Sequence, residues 1–470
     1  MEYSMKKIPL LTTAILFSLV FISCSSRTYE EAMKVPEEKF YNGQYLEAAN
    51  LLLPEVNKAG KDRLLFMMEC GLMLHSGEDY EKSNRVLLPA GRLAQLIPIS
   101  VKNQIASFLT SDVNSAYRGE DFEKVLVHMY LGINFLMLKK VDSARVEFLA
   151  VNNELSKIKS EDGSPKYKQN VMAKYMTAIA FEISGELNRD EKDIEYAYIE
   201  YKQIYALKPD LAMVKDDLLR VSKRLGYEDD YKEWQKKFGR GYNASDDTGE
   251  LVTIFQSGRG PVKKSRGSLL KDKDMGPVIN VTLNTGNWGA GVTVAAILVT
   301  LQTAENPIPK FVTRANRVSR IRIESEGKSI NTVMLEDVEQ TAIQNLEDDY
   351  GRLYKRVAIS IATKAAAAVV AGAAAKAAAE QIEDLGPFAS LIGAAVGAGT
   401  GAALFAQMRP DLRNWHTLPA NFQLGRLMLK SGRHKVKYVY IGDSGIIDIV
   451  EKEVEIKNGE KTLVNIRTLY

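Results

Sequence analysis

A short unit recurs along the first half of the chain, and it constrains the fold before any single residue does. In Asn42-Gly43-Gln44-Tyr45-Leu46-Glu47-Ala48 a glycine permits a turn, an aromatic residue packs, and a small residue lets a second helix approach closely. Tyr80 and Ser83 stand 35 residues beyond Tyr45 and Ala48. The hexapeptide Gly77-Glu78-Asp79-Tyr80-Glu81-Lys82 then returns as Gly119-Glu120-Asp121-Phe122-Glu123-Lys124, which puts Phe122 at the same point of a further unit. Ala144 begins another second helix, and Ala197 followed by Pro209 matches the end of a unit. Val125, Met129, Leu131, Phe135 and Leu138 lie at helical spacing, so each helix has one face for its neighbour. Units of this kind cannot bury their apolar faces alone and must stack.

The pattern reads as tetratricopeptide (TPR) repeats, degenerate because the spacings are 35 and then 42. A TPR-like α-solenoid is expected over residues 36–238, with Gly43, Tyr45, Ala48, Tyr80, Ser83, Phe122, Ala144, Ala197 and Pro209 as its packing positions.

The beginning of the chain sets the compartment. Lys6 and Lys7 precede an uncharged run from Ile8 to Ile22, too short to span a bilayer, which ends in Phe21-Ile22-Ser23-Cys24. This resembles a lipobox, with Phe21 where Leu is usual. It implies a signal peptide over 1–23, lipid on Cys24 and a tether over 24–35. Ser25 after the cysteine implies sorting to the outer membrane, facing the periplasm. The second cysteine, Cys70, has no partner for an intramolecular disulfide if Cys24 carries lipid, and its helical surroundings predict a buried, inert thiol. A net charge of +3 gives no reason to expect nucleic acid.

After Phe238 the polar, turn-rich stretch Gly239 to Gly249 marks a boundary. Strands are expected at Glu250–Phe255, Val278–Leu283, Val292–Leu301 and Arg320–Glu324, within a strand-rich segment 239–334. The basic stretch Arg259 to Arg266 reads as a solvated loop. A helical hairpin is expected over 335–408. Its first arm carries a stripe from Leu335 to Ile361 that dissolves into alanine. Gly386-Pro387 breaks the helix, and the second arm presents Ala389, Gly393, Gly397 and Gly401 at intervals of four, a ridge suited to close packing. The hairpin, 357–407, is either packed in water on the strands or in contact with a membrane. Residues 409–470 supply the closing strands, with hairpins expected around Lys430-Ser431-Gly432 and Asn458-Gly459. The fold class is therefore α+β multidomain: a TPR-like solenoid, then a strand-rich module with a long Ala/Gly-rich helical hairpin.

Tyr117 to Val125 with Val141 to Glu147, Glu250 to Phe255 with Gly260 to Lys263, and Asp411 to Pro419 together resemble a family of uncharacterised bacterial TPR-like lipoproteins of the cell envelope. The resemblance implies a periplasm-facing, membrane-tethered protein, in some relatives associated with envelope lipoproteins concerned with cell-wall synthesis or secretion. It brings no catalytic residues.

Chemistry is sparse in the sequence. His75, His128, His416 and His434 are isolated from one another and from cysteine, so no metal spacing exists. Ser156-x-x-Lys159 and Ser268-x-x-Lys271 lack the companion motifs of penicillin-recognising enzymes, and Gly258-Arg259-Gly260 is not completed as a phosphate loop. No cofactor and no enzymatic activity are expected. Arg413, Trp415 and His416 mark a possible surface site, against the alternative that Trp415 packs inside. Two functions remain open: an interaction scaffold that binds envelope proteins in a groove of the repeats, or a cell-wall-binding or processing module among the strands.

Overall fold

The computed structural model describes residues 28–96, 115–158, 169–243, 247–285, 301–302, 304–381 and 389–470. Cys24 and the signal segment lie outside these, as do Gly386-Pro387 and nearly all of Val292–Leu301.

Among the described residues, five helix pairs make up the first half: α1 (Tyr29–Tyr41) with α2 (Tyr45–Asn57), α3 (Arg63–Ser76) with α4 (Tyr80–Leu96), α5 (Asp121–Met137) with α6 (Val141–Lys157), α7 (Val171–Asn188) with α8 (Glu191–Leu207), and α9 (Ala212–Arg224) with α10 (Glu228–Phe238). Each pair reverses through one residue with positive φ: Gly43, Glu78, Lys139, Arg189 and Gly226. The left-handed conformation costs the three non-glycine residues about 1 kcal/mol each, which packing of the paired helices offsets. That packing is close. A Cβ at Gly71 would lie 2.4 Å from Leu87, and one at Gly132 would lie 2.5 Å from the Phe148 ring.

Ala48, Ser83, Ala144 and Ala197 are fully buried, and Ser83 Oγ donates to the Gly71 carbonyl at 2.7 Å. Tyr45 and Tyr80 open α2 and α4, and Pro209 lies just past α8. Phe122 requires a correction. It opens α5, the first helix of its pair, so the 42-residue spacing joined unlike positions; the counterpart of Tyr80 is Val141. The expected tether also ends early. Thr28 caps α1 through a capping box with Glu31, and Tyr29 is already buried.

The second half is built on two four-stranded sheets. The first has the order β10–β1–β7–β6, from β1 (Thr248–Ser257), β6 (Val333–Asp337), β7 (Asn421–Lys430) and β10 (Lys461–Arg467). The second has the order β5–β4–β8–β9, from β4 (Arg320–Ser325), β5 (Lys328–Asn331), β8 (Gly432–Gly442) and β9 (Gly445–Ile456). Between the sheets lies a core of Leu251, Phe255, Ile321, Ile323, Leu429, Val436 and Tyr438. The alternate residues of β1 and β7, Val252, Ile254, Phe422 and Leu424, face the other way and join the core of the helical half. The layers are thus helices, sheet, sheet, and β1 is buried on both faces.

Several strand expectations change. Ser431 carries the chain from one sheet to the other, so β7 and β8 are not a hairpin, and β10 pairs parallel to β1 instead of returning along β9. The hairpins are β4–β5 and β8–β9. Val278–Leu283 lies in a helix, α11 (Met275–Thr285), because Met275 and Ile279 are drawn into a cluster with Val357, Ile361 and Phe405. Leu335 belongs to β6, not to the hairpin, and a separate helix, α12 (Val338–Asp348), precedes it. The hairpin itself comprises α13 (Tyr350–Glu380) and α14 (Ala389–Phe405). Ala389, Gly393, Gly397 and Gly401 face α13, and a Cβ at Gly372 would meet the Gly393 carbonyl at 2.7 Å. The remaining strands, β2 (Val262–Lys264) and β3 (Lys310–Val312), form a small ribbon.

Candidate interaction site

The first helix of each pair, α1, α3, α5, α7 and α9, presents its side chains to the first sheet and to residues 411–419. These helices carry acids in otherwise apolar surroundings. Glu69 stands between Met68 and Cys70, and Glu182 between Phe181 and Ile183; both are fully buried. A buried carboxylate must find donors, and here the second half of the chain supplies them.

Glu69 accepts hydrogen bonds from the Tyr29 hydroxyl at 2.8 Å, the His416 N–H at 2.6 Å, the Thr417 N–H at 3.2 Å and the Thr417 hydroxyl at 2.6 Å. Glu123 accepts the Trp415 N–H at 2.6 Å, the Glu120 N–H at 2.8 Å and the Tyr117 hydroxyl. Two side chains of the repeats therefore bind three successive backbone amides of one segment. The carbonyls of that segment are held as well. His416 O accepts from Tyr41 at 2.8 Å and Arg314 at 2.6 Å, and Thr417 O accepts from Arg467 at 3.1 Å. Trp415 is fully buried against Tyr130, with its indole N–H on the Thr417 hydroxyl at 3.1 Å. Arg413 is buried too, paired with Asp62 at 2.5 Å and Asp411 at 2.6 Å.

Arg413, Trp415 and His416 are consequently not a surface site. They are the part of the C-terminal half that fills the inner face of the repeats. The basic stretch likewise is not a solvated loop, since Lys263 is buried in an ion pair with Glu120.

Further along the inner face the contact becomes ionic. Arg426 of β7 pairs with Glu250 at 2.6 Å and Asp217 at 2.6 Å, and Lys461 of β10 pairs with Glu182 at 2.7 Å and Glu186 at 2.8 Å. Arg220 completes the cluster through a bidentate pair with Glu182. At the centre, His75 bridges helices and sheet. Nδ1 meets Asn134 Oδ1 at 2.5 Å, and Nε2 meets the amide nitrogens of Gln256 at 2.7 Å and Asn465 at 3.1 Å. That partner set fits a neutral ring with Nδ1 protonated.

The electrostatics follow burial. Glu123 is raised to about 7 by burial and then by the neighbouring Glu120, and Glu69 is raised by burial. Burial also opposes charge on Glu182, but Arg220 and Lys461 hold its carboxyl well below the usual range. His75 falls to about 4 because burial disfavours its cation. For His416, burial pulls downward, yet the hydrogen bond to Glu37 and the charge of Glu69 keep the imidazole above its ordinary value.

Sequence reasoning missed Glu69, Glu123, Glu182, Asp217, Arg426 and Lys461. For Glu69 and Glu182 a signal was available: a lone acid within an apolar helical run. The remaining histidines make local contacts, His128 with Glu147 at 2.7 Å and His434 with Glu326 at 3.1 Å. Among the described residues no group of His, Cys, Asp and Glu is arranged to hold a metal ion. A cleft of about 490 Å³ lies between β3, α12 and the start of α13; its Arg266 is engaged by Asp272 and Asp274.

Fold and site together define a class: a TPR-like helical-repeat protein whose inner face is closed by its own strand-rich module. No family model matches the chain, and no curated protein matches it. Similar solved structures include MamA from Desulfovibrio magneticus RS-1, at 16% identity and TM-score 0.29 over 44% of this chain and 88% of that one. A Podospora anserina kinesin light chain protein with nearly identical TPR-like repeats is similar at 13% identity and TM-score 0.29, over 44% of this chain and 90% of that one.

Proposed function

We propose that the chain is a non-enzymatic interaction scaffold of the cell envelope, an outer-membrane lipoprotein held by lipid on Cys24 and facing the periplasm. What supports the scaffold reading is the apolar surface left on the outer helices, since the grip of Glu69 and Glu123 on the backbone of Trp415, His416 and Thr417 fills the inner face with the chain's own segment. This is peptide recognition by repeat helices, carried out within one chain. Because the inner face is taken, envelope partners are met by the outer helices. Those helices expose large apolar residues, among them Leu46 and Leu51 on α2, Val146 and Leu149 on α6, and Tyr196 and Ile199 on α8. The lipid reading rests on the Ser23-Cys24 junction after the apolar run.

Photo-cross-linking in cells tests the scaffold. A photoreactive residue at Val146 or Tyr196 should give a discrete adduct with another envelope protein, and one at buried Trp415 should give only internal links. Adducts absent from every outer-helix position would overturn the reading. Mass spectrometry of the mature amino terminus tests the anchor, which requires an acylated Cys24 as its first residue.

A further inference from the structure

The helical hairpin has a face that no described residue covers. Between residues 359 and 378 every exposed residue of α13 is Ile, Val, Thr or Ala, and α14 carries no charge at all. Ile359 is 54% exposed, Val370 68%, Leu391 69% and Val396 41%. Twenty helical residues span about 30 Å, the thickness of a bilayer's hydrocarbon core. α13 is long and apolar enough to cross a membrane, and only 39% of its apolar window lies inside the protein, which a core helix would not show. The charges within the hairpin do not spoil this face. Lys364 is turned inward and buried, and Lys376 is half-covered and paired with Glu380 one turn nearer the tip.

What lies at the foot of the hairpin identifies the occupant. Phe405 and Met408 pack there with Leu269 and Met275, so the start of α11 and the two ends of the hairpin form one base. Counting paired groups with the rest, that base carries Arg266, Lys271, Lys273, Lys310, Arg352, Lys355, Arg356 and Arg409 against Asp272, Asp274, Glu305, Glu347, Asp348 and Asp349, an excess of two cations. An apolar prong rising from a base with excess cations matches hydrocarbon bordered by anionic headgroups. A second copy would instead bring like charges together at the base.

We propose that the hairpin α13–α14 inserts into an anionic phospholipid bilayer, base lysines and arginines at the headgroups, with Gly372 and Gly393 keeping the two arms packed. This goes beyond the scaffold role and does not depend on lipid at Cys24. The test uses the chain from Ser25 onward, which retains every described residue, with vesicles of phosphatidylethanolamine and phosphatidylglycerol in equal parts. The chain should float with these vesicles. A fluorescent label at Val370→Cys or Val396→Cys, in a Cys70→Ala background, should move to an apolar environment, while one at Val146→Cys should not. The double variant V370D/V396D alters only exposed positions, so it should keep its melting temperature yet lose vesicle binding by about tenfold or more. Failure to float overturns the proposal. So does burial of the 370 label without vesicles that rises with protein concentration, which would assign the face to a second copy.

Discussion

The carboxylate of Glu123 holds the backbone N–H of Trp415 at 2.6 Å across 292 residues of sequence. Its counterpart Glu69 holds the next two amides, so the repeats and residues 411–419 fold as one body. A separate solenoid with an open groove, the arrangement suggested by the repeats alone, is not what the chain builds.

The raised Glu123 carboxyl gives that contact a pH dependence. Its folded value of about 7 lies above the ordinary carboxylate value, so the protonated form favours the folded state. Its contribution is fully present below about pH 4.5 and is lost as pH rises through 7, on the order of 3 kcal/mol for a shift of this size. Glu123→Gln should remove this component, leaving a flatter profile between pH 5 and 8 in urea titrations. An unchanged slope would show that Glu123 is not the group responsible; Glu336, also raised to about 7 by burial, is then the next to replace.

Replacing Arg426 with Ala leaves the buried carboxylate of Glu250 with Lys461 at 3.9 Å and that of Asp217 with Arg220 at 2.9 Å and the Tyr175 hydroxyl. The expected loss is about 3 kcal/mol, the low end for breaking a buried pair, because both acids keep part of their compensation. Chemical denaturation measures it, and a loss below about 1 kcal/mol would mean that water or a neighbour compensates.

A fragment covering residues 29–238 should be poorly folded by itself. Glu69 and Glu123 would lose the amides of residues 415–417, Glu182 would lose Lys461, and the inner face would lose Val252, Ile254, Trp415 and Phe422 from its core. Co-expression with residues 245–470 should restore a cooperative melt and a soluble complex. A fragment that melts cooperatively at the temperature of the whole chain would contradict the shared core.

Cys70 is buried, its thiol pushed up to about 12 by loss of solvation. In the Ser25-onward chain it should stay unmodified by a thiol reagent at pH 8 and react fully in guanidinium. Rapid modification of the native chain would place the α3–α4 pair in exchange with an open form.

Within the hairpin, Gly393→Leu should separate the arms, since even a Cβ there would sit 2.8 Å from the Gly372 carbonyl. Overpacking of this kind costs about 1–3 kcal/mol, read as faster proteolysis between residues 350 and 405.

How much of this was legible in the sequence depends on the range of the interactions. Tyr45 with Ala48 and Tyr80 with Ser83 reveal helix pairs because pair packing is local. The third pair was placed out of phase at Phe122, since Lys139, not a glycine, makes its turn. The β-branched run in Val278–Leu283 has the composition of a strand, and only the hairpin, some eighty residues away, draws Ile279 into a helical cluster. Asp411 to Pro419 stood out for its density of polar and aromatic groups, yet its burial depends on acids hundreds of residues earlier. No local pattern encodes that pairing.

The parallel pairing of β10 with β1 joins Glu250 to Lys461 and Gln256 to Arg467. Lys461 neutralises Glu182, and Asn465 completes the partners of His75, so the inner helices cannot settle until residues 461–467 are at hand. In synthesis, which proceeds amino terminus first, this fixes an order of assembly. The repeats emerge early and must wait, with their acids in water, for some two hundred later residues. A chain that stops short of β10 is left open and protease-sensitive, so arrival of β10 and closure of the fold become a single event.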